Sequence, residues 1–190
     1  MILMLASAMA LMSEPVVCGV TLVAESRSSR AVISCPTGSE DVEAIGRAVL
    51  DSIDLPEEAG RFSRELTWTF SPSEEESTWN WPALQLYAPP PALPGRALSR
   101  GVSANCYVVG IPDSRGRLLQ RQAECTVSDG GRSMARSYER ALVDHSAYRV
   151  ASASQMRCAA VSMSFRMGAT DAEGWPDADA LCAQIAGQAE

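Results

Sequence analysis

The sequence predicts an α+β fold made of two tandem units, each a three-stranded antiparallel sheet with a packed helix. Three observations carry this expectation. Two β-branched or alternating runs fold back around polar tips, each flanked by a cysteine pair. Each hairpin is followed by a helical pattern and then by a run in which every second residue is large and apolar. Two local matches fall at corresponding places. Arg47-Ala48-Val49-Leu50-Asp51 matches Arg140-Ala141-Leu142-Val143-Asp144, and Leu66 to Phe70 matches Val161 to Phe165. The recurrence of order, spacing and local sequence points to an internal duplication.

The elements follow in chain order. Residues 1–12 are apolar, and Ala8-Met9-Ala10 has the small-x-small form of a signal-peptidase site, so they read as a signal peptide. They fall short of the ~20 apolar residues a bilayer crossing needs. Residues 13–70 form the first unit. Cys18 to Val23 runs to a tip at Glu25 to Ser29 and returns through Ala31 to Ser34, ending at Cys35. A helix over Asp41 to Ile53 places Val42, Ile45, Val49 and Ile53 on one face, with Ser39 as its N-cap. Leu66, Trp68 and Phe70 then alternate as the buried side of a strand.

Residues 71–90 read as a linker. They hold the acidic run Glu74-Glu75-Glu76, Trp79 and Trp81, and the start of a proline run at Pro89 expected to be an extended spacer. The second unit spans 91–168. Cys106 to Ile111 turns at Asp113 to Gly116 and returns through Leu118 and Leu119 to Cys125. Asp129-Gly130-Gly131 reads as a strand-to-helix turn. A helix over Ser133 to His145 then aligns Met134, Tyr138, Ala141 and Leu142, and Val161, Met163 and Phe165 alternate in the closing strand. Residues 169–190 supply a loop and a helix over Asp177 to Gln188, with Leu181, Cys182 and Ile185 on one face. Two packings are open to such a pair of units, edge to edge or helix to helix.

The six cysteines contain no C-x-x-C pair, so the usual zinc and thioredoxin spacings are absent. An even count behind a signal suggests three disulfides in an oxidising compartment. In each hairpin the two cysteines lie equidistant from the tip, and antiparallel pairing sets Cys18 beside Cys35 and Cys106 beside Cys125. Cys158 and Cys182 are the remaining pair, a bond that would staple the last helix to the closing strand.

Net charge is -7, and all 16 basic residues are arginine. That balance argues against nucleic acid, whose phosphates need a basic face, and against an anionic membrane surface. Catalysis is not expected. The only histidine, His145, sits at a helix end where a cation is favoured by the dipole. No G-x-S-x-G elbow surrounds a serine, and the phosphate-loop lysine cannot exist in a chain without lysine. No catalytic residue, metal ligand or cofactor is assigned. Trp79 and Trp81 are the residues left open for stacking on a sugar.

From about Pro91 to Met167 the sequence resembles the C-terminal domain of TonB-family energy transducers. Pro91 to Gly101 is similar to the family's proline-entered first helix ending at a glycine. Tyr107 to Ile111 with Asp113 to Gly116 is similar to its first hairpin. Tyr148-Arg149-Val150-Ala151 is similar to an aromatic-Arg-Pro-Ala signature, and Val161 to Met167 to the closing strand. Leu93 and Val150 depart from the family's usual Tyr and Pro. The first unit reads as a degenerate copy. The resemblance implies a periplasmic protein-interaction module, linked to energy transduction or transport at the outer membrane, that binds a receptor or transport component by strand addition. The edge it implies is Val161, Ser162, Met163, Ser164, Phe165 and Arg166. A second class of function also fits: a disulfide-stabilised secreted structural or inhibitor-like protein, unrelated to TonB receptors. Localisation is expected to be periplasmic or secreted, or membrane-associated.

Overall fold

A computed structural model describes residues 14–25, 28–56, 62–73, 78–88, 93–145, 147–153 and 156–187. The expected signal peptide, the acidic run at 74–76 and the prolines at 89–91 lie outside the described residues. The elements are β1 (Val16–Glu25), β2 (Ser28–Ser34), α1 (Glu40–Asp51), β3 (Phe62–Pro72), β4 (Trp79–Asn80) and β5 (Leu84–Tyr87). There follow α2 (Gly95–Arg100), β6 (Ala104–Pro112), β7 (Leu118–Val127), α3 (Gly131–Val143), β8 (Arg149–Ala151), β9 (Ala159–Phe165) and α4 (Ala178–Ala186). The fold is α+β, and its paired strands are antiparallel.

The two larger sheets repeat one topology. Their orders are β2-β1-β3-β4 and β7-β6-β9, so each puts the first strand of its hairpin between the hairpin return and the strand after the helix. The first sheet differs from the expected three strands because Ser71 and Pro72 pair with Asn80 and Trp79. Beyond that pairing the Ser73 N–H donates to the Thr78 carbonyl at 2.9 Å.

The cysteines of each hairpin face one another, with Cα separations of 4.3 Å for Cys18–Cys35 and 4.2 Å for Cys106–Cys125. In the second hairpin Gly110 faces two residues, Gln120 and Arg121, across a bulge between the pairs Val109–Gln122 and Ile111–Leu119. Gln120 takes the left-handed conformation there, at φ 48°. The extra residue sits between tip and cysteine, yet the cysteines still pair because the bulge absorbs it.

In the first unit β1 buries Cys18, Val20, Leu22 and Ala24, while Val17 and Val23 face outward. Helix α1 lies on the buried side. Its most buried positions are Val42, Gly46 and Leu50, a tighter stripe than the expected Val42, Ile45, Val49 and Ile53. The shift has a steric cause: a Cβ on Gly46 would collide with the Ile33 side chain and sit 3.3 Å from the Phe70 ring, so the glycine sets how closely helix meets sheet. Ser39 precedes α1, but its hydroxyl does not cap the helix. Instead its carbonyl accepts from the Glu43 N–H at 3.0 Å, and three carboxylates in the first turn meet the helix dipole. Trp68 and Phe70 are fully buried beneath it, each stabilising the unit by about 2–3 kcal/mol of transfer free energy.

In the second unit β6 is buried on both faces. Ala104, Cys106 and Val108 join the α3 side with Tyr138 and Leu142, whereas Val109 packs with Leu181 and Ile185 of α4. Asp177 caps α4, its carboxylate accepting from the N–H groups of Asp179 and Ala180, both at 3.0 Å. Cys158–Cys182 ties α4 down at a Cα separation of 5.6 Å.

Residues 78–88, within the stretch expected as a linker, are packed structure. Strand β5 buries Leu84 and Leu86 in the first unit's core and pairs with β8 of the second. The Trp68 indole N–H donates to the Pro82 carbonyl at 3.0 Å. Neither edge-to-edge nor helix-to-helix packing describes the joint. The units meet through β5–β8, through Arg149 Nε donating to the Asp54 carbonyl at 2.6 Å, and through Ile53 against Gly116.

Candidate functional site: the outer edge of β9

Among the described residues, strand β9 is the terminal strand of its sheet and pairs only with β6. Its parity follows from one bond: the Ser162 N–H donates to Gln85 Oε1 at 3.2 Å, so it points away from β6. In an antiparallel ladder this direction alternates, so the main-chain groups of Ala160, Ser162 and Ser164 face outward. Those of Ala159, Val161, Met163 and Phe165 hold the ladder to β6.

The side chains divide the same way. Val161 is fully buried and Phe165 stacks on Tyr138 with centroids 5.5 Å apart. Met163 Sδ lies 3.9 Å from the Tyr148 hydroxyl. Ser162 and Ser164 are exposed, and the Ser164 hydroxyl donates to Asn105 Oδ1 at 2.9 Å. Arg166 lies one residue past the end of β9 and sits 3.8 Å from the Asp171 carboxylate. The strand therefore begins two residues earlier than the expected edge and ends one earlier.

Helix α4 packs on the face of this sheet, its buried residues against Val109, and Cys182 ties it to Cys158 just before β9. On the sheet face that carries the Ser164 side chain, a hollow of about 260 Å³ is lined by Asn105, Ser164, Arg166, Asp171 and Trp175. Gln85 is the contact that sequence reasoning missed. It comes from the presumed linker, and nothing around it in Leu84-Gln85-Leu86 marks a residue that reaches another sheet.

The remaining candidates take structural places. All six cysteines are paired as expected. His145 follows α3, its ring edge-on to Tyr148 at 6.4 Å. Trp81 packs on Phe70 at 5.5 Å and Trp68 at 6.3 Å, and the Trp79 indole N–H donates to Asp41 at 2.9 Å. Neither ring stands as a free stacking platform. Asp129-Gly130-Gly131 is the turn from β7 into α3. Among the described residues no cluster of three or more metal-ligating side chains occurs, and no helix is long and apolar enough to cross a membrane.

No family model, curated protein or solved structure matches the chain.

Proposed function

We propose that this chain is a periplasmic protein-interaction module that receives an extended partner strand along β9, in the manner of the TonB C-terminal domain it resembles. The single observation that carries the reading is the outward parity of the Ser162 and Ser164 main chain on a terminal strand. Strand addition draws affinity from such main-chain groups and specificity from hollows for alternate side chains. The hollow at Asn105, Arg166 and Trp175 supplies one. Gln85 holds the Ser162 N–H in the absence of a partner, which protects an otherwise adhesive edge. The partner is an outer-membrane receptor or transport component.

The test is capture of a partner from an outer-membrane extract by the disulfide-bonded protein and by its Ser162→Pro and Ser164→Pro variants. Proline at these positions removes outward donors and spares the ladder to β6. Loss of capture with unchanged circular dichroism is expected. Equal capture by all three proteins would remove strand addition at β9 from consideration.

A further inference from the structure

The two units differ at one equivalent position in a way that opens a second groove. Counting back along the same strand face, Cys35, Ile33 and Ala31 of the first hairpin correspond to Cys125, Ala123 and Arg121 of the second. Arg121 spans from its strand to the end of its helix. Its Nε donates to the Val143 carbonyl at 3.1 Å and its Nη1 to the Leu118 carbonyl at 3.1 Å. The guanidinium thus fills the space between β7 and the C-terminal turn of α3.

In the first unit Ala31 leaves that space open. A groove of about 540 Å³ lies between β2 and the C-terminal end of α1, floored by Leu22, Ile33, Leu50 and Leu86. Leu50 is the counterpart of Val143 in the matched helix segments. The last turn of α1 carries no basic residue and ends on Asp51; Asp54 beyond it on the same rim is paired with Arg115 at 3.9 Å. Arg30 and Arg47 also reach the rim, but Arg47 is paired with Glu43 on its own helix. Strand β2 is terminal in its sheet. The Cys35 N–H donates to Glu43 Oε2 at 3.4 Å and so points away from β1; by alternation the N–H groups of Ile33 and Ala31 face the groove side too.

We propose that this groove binds an extended peptide that adds to β2 and places one arginine side chain at the C-terminal turn of α1, where Arg121 sits in the second unit. The occupant follows from one exchanged position: where Arg121 reaches its helix end in the second unit, the first unit has Ala31, and the arginines near the groove, Arg30 and Arg47, stand on its rim. A cation there meets the negative end of the helix dipole and the Asp51 carboxylate. This surface is on the other sheet from β9, and the proposal stands or falls without strand addition there.

The test uses the full disulfide-bonded chain and two blocked seven-residue peptides of alternating threonine and valine, one with a central arginine and one with a central alanine. Amide NMR shifts are followed at Ala31 and Ile33. The arginine peptide is expected to shift both amides and to bind about tenfold tighter than the alanine peptide, the worth of one charge-assisted bond. Ala31→Arg, which copies Arg121, and Asp51→Lys, at an exposed position, are each expected to weaken it at least about tenfold. Asp51→Lys decides the matter if Ala31→Arg does not fold. Four results would overturn the proposal: no shift at either amide, equal binding of the two peptides, shifts confined to Ser162 and Ser164, or concentration-dependent shifts at Ala31 without peptide, which would mark a second copy of the chain as the occupant.

Discussion

The backbone N–H of Cys125 donates to the carboxylate of Glu139 at 3.3 Å, tying the outer strand of the second sheet to the helix above it. The same bond recurs in the first unit, from Cys35 to Glu43, although the two glutamates are not aligned in sequence. In each case the donor lies on the outer edge of the return strand, opposite its disulfide partner. A helix side chain thus satisfies an edge donor that would otherwise face solvent or a neighbour. Glu139→Ala should destabilise the protein by about 1–3 kcal/mol, because the partly buried Cys125 N–H is left unpaired. Glu139→Gln keeps an acceptor and should lose less. Urea unfolding with the disulfides intact measures both.

The Cys158–Cys182 bond holds the smallest of the apolar clusters, in which Val109, Leu181 and Ile185 are the fully buried members. The bond closes a span of 24 residues, and loop-closure entropy assigns it about 3.5 kcal/mol. The double variant Cys158→Ala, Cys182→Ala should therefore release α4 locally while both hairpins stay closed by their own disulfides. Hydrogen exchange should show α4 amides exposed and β6 amides still protected. Uniform loss of protection would mean that α4 is required for the whole sheet.

Asp41 accepts a hydrogen bond from the Trp79 indole N–H, and this bond, with further help from the Val42 N–H, holds its carboxyl below the ordinary value of 3.8. A carboxylate whose folded pKa is depressed contributes stability above its unfolded pKa and loses it as pH falls through the folded one. The link between α1 and β4 should therefore be intact above pH 4 and weaken below it. Trp79 fluorescence, read in a Trp175→Phe background to remove the most exposed indole, should change over that acid range. In Asp41→Asn the acid change should vanish.

Tyr148 is buried, and burial pushes its phenol up to about 12 while its O–H donates to the Leu142 carbonyl at 3.0 Å. For a phenol the neutral form is favoured by folding. Its contribution is full below the ordinary value near 10 and is lost as pH rises toward 12. Absorbance titration should show Tyr148 ionising near 12, and burial displaces Tyr138 upward as well. Tyr148→Phe should cost about 1 kcal/mol through the lost hydrogen bond.

Much of this architecture is legible in local sequence because its signals are local. The hairpins are marked by β-branched alternation and by cysteines that must meet across the strands. Trp68, Phe70, Val161 and Phe165 show their parity directly. The joint between the units is not legible in the same way. Strand β8 has three residues and β5 has four, too short for periodicity to show, and they pair across more than sixty positions of chain. Gly46 interrupts a good helical pattern and reads as a cost, yet there the helix lies so near the sheet that a Cβ would collide with Ile33. Ser39 has the right residue type for a cap, but the carboxylates of the first turn satisfy the helix end in its place. At the candidate edge, the strand itself is visible in sequence, whereas the Gln85 contact depends on where a distant segment packs.

Gly116 is the residue on which the joint turns. Its φ of +74° lies in the left-handed region, its carbonyl accepts from the Val150 N–H at 2.9 Å, and a Cβ there would collide with the Val150 carbonyl and sit 3.2 Å from the Ile53 side chain. Gly38, at φ +91°, offers the control, since a Cβ there meets nothing within 4 Å. Gly38→Ala should cost only the conformational penalty of about 1–2 kcal/mol. Gly116→Ala should cost that and a further 1–3 kcal/mol or so for displacing backbone at a packed contact. The excess should appear as earlier exposure of the β5 and β8 amides in hydrogen exchange. Equal losses in the two variants would mean that the contact between Ile53, Gly116 and Val150 contributes nothing to holding the units together.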